Sequence, residues 1–452
     1  MSKEHALLGI DIGASHIKCA VGVKNLETGV IDVISRSSKL TRGFEDGKII
    51  SPADFERSLQ LAIDDAVRYA VYSPKEAIIS VSSRASYRVE VSVKVRILSG
   101  QVSHQDVQTT LERCVREAPS PTEAYKLSHI IPLRFSLDGQ RDTLSPWGEP
   151  ASHLELKASL IYADQALYEE LWRLKSKLTV KDESSKSRYV LPLIDVVDEL
   201  SVLAGAVLSA EEREGVMSVL DLGADCLKIV IFERARPLYA YTSFKAGRHL
   251  TRELLTDLQL ESFEEAERVK VGHATLSPEP NAPRVRVRCV AQVKHKQLSA
   301  LSRPLERALK QQISALRVRL QQDQVWSYVQ RGLILTGGTA QLKGLAQQTE
   351  AILQTPVRVG QPAQDGVCDL VKAPSYATLN GLIMCALSGE NRHWFGCWRT
   401  EIKELPQPEL ALQSAQRPQR PSPLKRGLQL IKRRFFAHAH HEPAAHPEPL
   451  SR

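Results

Sequence analysis

Two segments of the chain share one pattern of hydrophobic and polar positions: an apolar run, an acidic residue followed two residues later by glycine, and a second apolar run. The first covers residues 6–23 with Asp11 at its turn, and the second covers residues 216–232 with Asp221. Long apolar runs that meet at such a turn are typical of hairpins of buried strands. The repetition predicts two lobes of similar construction, although two copies are also compatible with chance similarity.

Helical spacing of apolar residues predicts the main helices of these lobes. After Pro52, apolar side chains recur every three to four residues, which predicts a helix over residues 54–72. The same criteria predict helices over residues 164–178 and 305–321, and strands over residues 77–83 and 332–338.

Residues 84–163 differ from the segments on either side in their pattern of apolar and polar residues. Apolar and polar residues alternate over residues 87–93, which indicates a half-buried strand, and residues 106–117 have helical spacing. Further strands are predicted over residues 127–135 and 154–162. We therefore predict a small α+β domain inserted into the first lobe.

After Trp398 the composition changes again. Residues 399–423 contain five prolines and many glutamines, which predicts a flexible tether. A short helix is predicted over residues 424–436, and a disordered tail over residues 437–452.

The predicted helix over residues 424–436 is amphipathic. Its apolar residues fall on one side of a helical wheel, and its basic residues are distributed around the rest. This pattern is typical of a helix that lies in the plane of an anionic membrane surface. Packing against the protein's own core is the alternative. The membrane-binding candidates are Leu424, Lys425, Arg426, Leu428, Ile431, Lys432, Arg433, Arg434 and Phe435.

Composition and charge narrow the classes of function. The net charge of +8 favours an anionic partner. The sequence has no apolar run of about 18 residues, as a membrane-spanning helix requires, and no recognisable signal peptide, so any membrane contact is expected to be peripheral. The seven cysteines form no C-x-x-C motif, which favours a reducing cytoplasm over a disulfide framework. Nucleic-acid binding is not expected, because no aromatic platform or recognised module accompanies the basic charge.

The turn at Asp11 carries residues suited to phosphate binding. Gly13 permits close approach of the backbone to a ligand, and successive amides in such a turn form an anion-binding nest. Asp11 is placed to hold a hydrated Mg²⁺ ion, and Lys18 to reach the phosphates. Alone, such a motif is more often only a turn. Together with the turn at Asp221 and a Gly-Gly turn at residues 337–338, it predicts a nucleotide site.

These three elements resemble the two phosphate loops and the adenosine loop of the superfamily that contains actin, Hsp70 and the sugar kinases, and within it they resemble the FtsA family. The resemblance covers roughly residues 6–390. Further matching segments are Thr41-Arg42-Gly43, Gly47-Lys48-Ile49-Ile50, His129-Ile130-Ile131-Pro132, Ser145-Pro146-Trp147-Gly148, Gly247-Arg248-His249-Leu250-Thr251 and Glu265-Ala266-Glu267-Arg268-Val269-Lys270.

The resemblance implies an α/β fold: an actin-like ATPase fold of two related lobes with a small inserted α+β domain, a flexible tether and a C-terminal amphipathic helix. Lobe I is expected over residues 1–83 and 164–200, on either side of the inserted domain. Lobe II is expected over residues 201–398, and it would contain nucleotide-binding and partner-binding parts.

The resemblance also implies a site for ATP and Mg²⁺. Asp11 and Asp221 would hold the metal, and Glu199 would present its carboxylate to the attacking water as the catalytic residue. The implied nucleotide-binding residues are Asp11, Gly13, Ala14, Ser15, Lys18, Asp221, Gly223, Gly247, Glu267, Lys270, Gly337, Gly338 and Thr339.

The second phosphate loop departs from the family pattern D-x-G-G-G-T. Here it is Asp221-Leu222-Gly223-Ala224-Asp225-Cys226, and Asp225 adds negative charge where a terminal phosphate is expected. Two unit charges about 4 Å apart repel by roughly 4 kcal/mol at intermediate dielectric, if nothing compensates. Lys228 and Lys245 are candidate partners for Asp225. We therefore expect at most a slow ATPase.

The FtsA resemblance implies several partners. The basic residues Arg284, Arg286, Arg288, Lys294 and Lys296 are placed to receive the C-terminal tail of FtsZ, and an edge strand protected by charge is the alternative. The resemblance also implies self-association into filaments and docking of other division proteins on the inserted domain. It further implies contact with anionic lipid on the cytoplasmic face of the inner membrane, at the septum. A PilM-like pilus assembly adaptor and a sugar-kinase-like phosphotransferase are the alternative functions.

Overall fold

The computed structural model describes residues 4–81, 86–119, 124–143, 145–181, 187–199, 202–234, 236–279, 281–361 and 371–388. All of these residues belong to one compact unit. The predicted tether, the membrane-binding residues between Leu424 and Phe435, and the tail lie outside the described residues.

The described chain alternates between strands and helices. The strands are β1 Glu4–Ile12, β2 His16–Asn25, β3 Ile31–Leu40, β4 Phe44–Glu45, β5 Lys48–Ile49, β6 Glu76–Val81, β7 Ser86–Arg96, β8 Tyr125–Leu137, β9 Arg141–Thr143, β10 His153–Asp164, β11 Thr179–Lys181, β12 Arg188–Val190, β13 Leu193–Asp198, β14 Val216–Leu222, β15 Leu227–Glu233, β16 Arg236–Ser243, β17 Val285–Cys289, β18 Gln292–Lys296, β19 Leu333–Thr336 and β20 Val357–Val359. The helices are α1 Pro52–Arg68, α2 His104–Glu117, α3 Gln165–Arg173, α4 Leu203–Val207, α5 Ala210–Glu214, α6 Gly247–Leu258, α7 Phe263–His273, α8 Leu298–Gln322, α9 Trp326–Val329, α10 Leu345–Leu353 and α11 Ala377–Ser388.

Two five-stranded sheets of the same topology form the body of the molecule. Lobe I has the order β3-β2-β1-β6-β13, and lobe II has the order β16-β15-β14-β19-β20. In both, the first three strands are antiparallel neighbours, and the last two run parallel to the first strand of the lobe. The predicted pair of related lobes is confirmed, and with it the actin-like fold.

The inserted α+β domain is also confirmed. It contains a four-stranded sheet of order β7-β10-β8-β9, on which α2 packs through Val107, Leu111 and Cys114. A capping box fixes the start of α2, because Ser103 accepts a hydrogen bond from the Asp106 amide and the Asp106 carboxylate accepts one from the Ser103 amide.

The two hydrophobic helices α4 and α11 lie where the lobes meet. Leu379, Leu382 and Ile383 of α11 are buried in a cluster with the lobe I sheet, whereas Ala377 belongs to a cluster with the lobe II sheet. The close approach depends on Gly22 of β2, since a Cβ atom there would lie 2.2 Å from Ile383 Cγ2.

The three helices predicted for the two lobes have different limits in the structure. Helix α1 ends at Arg68 instead of residue 72, and α3 ends at Arg173 before a 3₁₀ turn. Helix α8 begins at Leu298, seven residues earlier than predicted, with Pro304 inside it. Leu301 and Leu305 continue the buried stripe of α8, and this packing outweighs the backbone hydrogen bond that Pro304 cannot make.

Candidate nucleotide-binding site

A cleft of about 830 Å³ lies between the two lobes, at the ends of the hairpins β1–β2 and β14–β15. It is lined by the predicted residues Asp11, Gly13, Ala14, Ser15, Lys18, Glu199, Asp221, Gly223, Glu267, Lys270, Gly337, Gly338 and Thr339. The fold thus brings together residues that are separated by more than three hundred positions in the sequence.

The turn of lobe I is held rigidly from both sides. The Gly13 amide donates a hydrogen bond to the His16 carbonyl (3.2 Å) within the turn. Thr41, from the segment after β3, donates its hydroxyl to the Gly13 carbonyl (2.7 Å) and its amide to the Ser15 carbonyl (2.9 Å). This anchoring explains why the Thr41-Arg42-Gly43 segment accompanies the phosphate-loop motif.

The turn of lobe II repeats this geometry with its own anchors. The Gly223 amide donates to the Cys226 carbonyl (2.9 Å), as Gly13 does to His16. The Gly223 carbonyl accepts hydrogen bonds from the Gly247 amide (3.1 Å) and the Thr339 hydroxyl (3.0 Å). Both turns are therefore preorganised, with their backbones directed toward the same cleft.

Gly247 lies behind the turn of lobe II and does not line the cleft. A Cβ atom at Gly247 would lie 2.5 Å from the Thr339 hydroxyl oxygen and 2.9 Å from the Gly223 carbonyl oxygen. Its place in the site is therefore structural, because only glycine allows α6 to start against this turn.

Two buried carboxylates form the acidic centre of the cleft. Asp11 accepts hydrogen bonds from Lys18 Nζ (3.2 Å) and Ser80 Oγ (3.1 Å). Burial raises the pKa of Asp221 to about 7; the charge of Lys18 opposes this shift and that of Asp11 adds to it. A divalent cation would relieve this unfavourable burial of negative charge.

The donor set fits Mg²⁺. The protein supplies only part of a metal's ligands here: the residues that the structure describes contain no group of three or more acidic, histidine or cysteine side chains that could hold a metal ion. Asp11 and Asp221 together supply two carboxylates, and Mg²⁺ is commonly held by one or two carboxylates, with water and substrate phosphates completing its shell.

Glu199 forms a buried ion pair with Lys228. Glu199 follows β13 of lobe I and Lys228 belongs to β15 of lobe II, so the pair joins the two lobes at the lining of the cleft. Lys228 is 1% exposed. The carboxylate that the resemblance assigns to catalysis is thus held by a cation of the opposite lobe.

Asp225 forms its ion pair with Arg248, a residue that the sequence analysis does not name as its partner. Arg248 Nη1 lies 3.0 Å and 3.3 Å from the two carboxylate oxygens of Asp225. The other terminal nitrogen of Arg248 donates to the Ala14 carbonyl of lobe I at 2.9 Å. The repulsion expected from Asp225 is therefore compensated by a cation that contacts both turns.

Glu267 and Lys270 of α7 line the cleft on the lobe II side and bind one another. Lys270 Nζ lies 2.7 Å from the Glu267 carboxylate and donates to the Thr251 hydroxyl (2.8 Å) and the Gly247 carbonyl (3.1 Å). Burial lowers the pKa of Lys270, while the charge of Glu267 opposes that shift. These contacts hold both side chains at the wall of the cleft.

Gly337 adopts φ +89°, a conformation that favours glycine. A Cβ atom at Gly337 would lie 2.4 Å from Asp221 Oδ1, so the glycine also lets the third loop approach the acidic centre. Its amide and the Thr336 hydroxyl both donate to the Pro374 carbonyl, at 3.2 Å and 3.0 Å.

Two cations at the cleft have partners that the sequence did not predict: Lys228, a predicted candidate for Asp225, pairs with Glu199, and Arg248 pairs with Asp225. For Lys228 a signal existed: D-x-G-A-x-x-x-K occurs at residues 11–18 and again at residues 221–228, and Lys18 and Lys228 face the aspartates across their hairpins. For Arg248 no comparable local signal exists, because its partner lies 23 positions away.

The predicted partner-binding residues lie on or beside the hairpin β17–β18. Arg286 and Arg288 alternate with buried residues and are exposed, whereas Lys294 and Lys296 pair in register with the buried Val287 and Val285. Arg288 Nη1 lies 3.2 Å from the Glu261 carboxylate. The hairpin therefore divides these basic residues between two faces, with Arg284 just before its first strand.

The chain matches two family models. The model described as cell division protein FtsA covers residues 218–381, and the model described as the SHS2 domain inserted in FTSA covers residues 82–162. The resemblance inferred from the motifs is confirmed by these matches.

Individual FtsA proteins are similar to this chain over most of their length, and a solved structure has the same fold. Cell division protein FtsA of Pseudomonas aeruginosa is 23% identical over 390 residues, covering 85% of this chain and 90% of that protein. The FtsA protein of Rhizobium meliloti is 24% identical over 399 residues, covering 84% and 87%. The structure of a PilM–PilN type IV pilus biogenesis complex matches with a TM-score of 0.60 and 17% identity, covering 84% of this chain and 98% of that one, and it shows the shared fold.

Within the described part of the chain, no helix combines the length and the apolar character needed to cross a bilayer.

Proposed function

This chain belongs to the FtsA family of cell division proteins, and from that premise we propose that it is an ATP-binding adaptor that tethers FtsZ filaments to the cytoplasmic membrane. The adaptor self-associates, and the nucleotide in the inter-lobe cleft controls that association. Other division proteins dock on the inserted domain. The protein acts as a peripheral component on the inner face of the membrane at the septum.

The observation that carries the nucleotide part of the proposal is the pair of matching turns on opposite walls of one cleft. Each turn offers backbone amides and an aspartate, and Gly337 to Thr339 close the cleft from the side of lobe II. We assign the phosphates to the turns at Gly13 and Gly223, Mg²⁺ to Asp11 and Asp221, and the adenosine to the third loop and to Glu267 and Lys270.

Bound Mg²⁺ would supply charge neutralisation for the phosphate oxygens. Lys18 neutralises Asp11 on the lobe I side, and Lys228 holds the Glu199 carboxylate in place. With Asp225 and Arg248 already paired at the inner end, this arrangement favours binding over rapid hydrolysis. At most a slow ATPase activity follows.

The membrane part of the proposal rests on the amphipathic pattern of residues 424–436. Its basic residues attract anionic headgroups, each contributing on the order of 1 kcal/mol. Its apolar residues contribute about 1–2 kcal/mol each when partly buried. A single helix then binds reversibly, and self-association strengthens attachment by avidity.

Co-sedimentation with phosphatidylglycerol-containing liposomes tests the proposal. The full chain should sediment with the vesicles and recruit an FtsZ tail peptide, whereas a chain truncated after Pro423 should stay in the supernatant. Ile431→Glu places a charge in the apolar stripe and should weaken binding roughly tenfold or more. His446→Ala, in the tail, is the matched control and should bind as the full chain does.

Equal sedimentation of the full and truncated chains would show that the terminal helix is not the anchor. Sedimentation without recruitment of the peptide would remove the FtsZ part of the proposal and leave the membrane part standing.

A further inference from the structure

Arg248 connects the two phosphate-loop turns directly across the cleft. One terminal nitrogen of its guanidinium lies 3.0 Å from Asp225 in lobe II, and the other donates to the Ala14 carbonyl in lobe I at 2.9 Å. The Asp225 side chain is 8% exposed and that of Arg248 is 28% exposed, so the bridge is largely shielded from solvent. Charge-assisted hydrogen bonds of this kind are stronger than neutral ones.

The internal repeat shows what is special about Asp225. Residues 11–18 and 221–228 match position by position, and Asp225 occupies the position that Ser15 has in lobe I. Ser15 Oγ lies 3.0 Å from His16 Nδ1 within its own turn. Lobe I therefore places a small neutral side chain where lobe II places a carboxylate that has recruited a cation.

We propose that the Asp225–Arg248 pair takes the place of a terminal phosphate between the two turns, so that the cleft retains a nucleoside diphosphate in preference to a triphosphate. This inference rests on the proposed nucleotide-binding function and narrows it, because of the two nucleotides the cleft would hold the diphosphate more tightly than ATP.

The reasoning is electrostatic and steric. A terminal phosphate that contacted both turns would bring negative charge next to Asp225. It would also have to displace Arg248 from the Ala14 carbonyl, which the guanidinium contacts at hydrogen-bond distance. Proteins commonly discriminate between two ligands by placing a charge of the same sign next to the ligand that is to be excluded.

The lysines near the inner end of the cleft already have carboxylate partners. Lys18 lies 3.2 Å from Asp11, Lys228 is paired with Glu199, and Lys270 lies 2.7 Å from Glu267. A terminal phosphate would therefore compete with an existing ion pair for each of these cations. A diphosphate leaves the Asp225–Arg248 pair in place and avoids this competition at the position where the turns meet.

Calorimetric titration of the full chain with ADP and with a non-hydrolysable ATP analogue, each with Mg²⁺, tests the inference. The wild-type chain should bind ADP about tenfold or more tightly than the triphosphate. Asp225→Ser copies the residue of the lobe I turn and frees Arg248 for a phosphate. It should tighten triphosphate binding about tenfold and change ADP binding less than about threefold.

Asp257→Asn is the matched control, because Asp257 forms an ion pair with Arg307 on the surface of lobe II (2.8 Å). It should leave the ratio of the two affinities unchanged. Arg248→Gln provides a second variant: it leaves Asp225 without its cation and should weaken the triphosphate more than ADP.

Three outcomes decide the matter. Equal affinities in the wild-type chain, or an unchanged ratio in Asp225→Ser, would overturn the inference while leaving nucleotide binding intact. Failure of both nucleotides to bind either the wild-type chain or Asp225→Ser would overturn the proposed function and the inference with it. A wild-type preference for ADP that Asp225→Ser removes would support both.

Discussion

Replacing Lys228 by methionine removes the cation from the ion pair that joins the two lobes at the lining of the cleft. Lys228 is 1% exposed and Glu199 is 5% exposed, so the carboxylate cannot recover its solvation without opening the interface between the lobes. Removing one partner of a buried pair generally costs about 3–5 kcal/mol, because the remaining charge stays buried. We expect a loss of this size in the free energy of unfolding for Lys228→Met and for Glu199→Leu.

The double variant should recover much of this loss. Replacing both members of a buried pair by apolar residues of similar volume is often close to neutral. We therefore expect Lys228→Met/Glu199→Leu to be more stable than the sum of the single changes predicts, by at least about 2 kcal/mol.

Urea denaturation of the full chain and its variants at pH 7, followed by tryptophan fluorescence and circular dichroism, measures this coupling. Lys94 and Glu155 provide a matched exposed pair in the inserted domain, with a distance of 2.6 Å and side-chain exposures of 53% and 37%. The same cycle with Lys94→Met and Glu155→Leu should give a coupling below about 1 kcal/mol. Additive losses at Lys228 and Glu199 would refute the reasoning, since they would mean that each charge is compensated independently of the other.

Two further predictions concern the third loop and the acid stability of lobe II. Gly337→Ala should abolish nucleotide binding in calorimetric titration, because its Cβ would lie 2.4 Å from Asp221 Oδ1. Gly29→Ala is the control for backbone strain, because Gly29 has φ +75° and open space around it. This control should bind nucleotide as the wild-type chain does. The guanidinium of Arg268 lowers the pKa of Glu265 to about 2 from the ordinary value of 4.5. This carboxylate therefore stabilises the fold above pH 4.5, and its contribution is lost as the pH falls toward 2. In urea denaturation, the free energy of unfolding of the wild-type chain should fall by about 2 kcal/mol more between pH 7 and pH 3 than that of Glu265→Gln. An equal loss in both proteins would contradict the assignment.

The lobes and the inserted domain are readable from the sequence because they depend on local patterns. The apolar runs around Asp11 and Asp221 predict buried hairpins, and the alternation over residues 87–93 predicts a half-buried strand. Those patterns report the period of each element and the side that it buries. Helix α8 begins seven residues earlier than predicted, because burial of Leu301 outweighs the cost of Pro304 inside the helix.

The residues that line the cleft were largely predictable from the sequence, but the ion pairs among them were not. Glycines and aspartates at turns can be recognised in the sequence from their residue type alone. The structure places nearly all of the predicted nucleotide-binding residues around one cleft. Ion pairs depend on which side chains the tertiary fold brings within about 3 Å. Arg248 reaches Asp225 because α6 starts against the lobe II turn, and Lys228 reaches Glu199 because the sheets face one another. The repeated motif marks Lys228 as the counterpart of Lys18, but no local sequence signal indicates which carboxylate either cation reaches.

The attachment of α11 to lobe I determines where force enters the molecule. Its last turn is held there by Leu387, which packs in the lobe I cluster, and by Lys24 of β2, whose ammonium donates to the Ser388 carbonyl at 3.3 Å. Tension on the polypeptide that continues beyond Ser388 is therefore borne by lobe I. The two lobes therefore differ in how they are joined to the rest of the chain, although they are built on the same strand order.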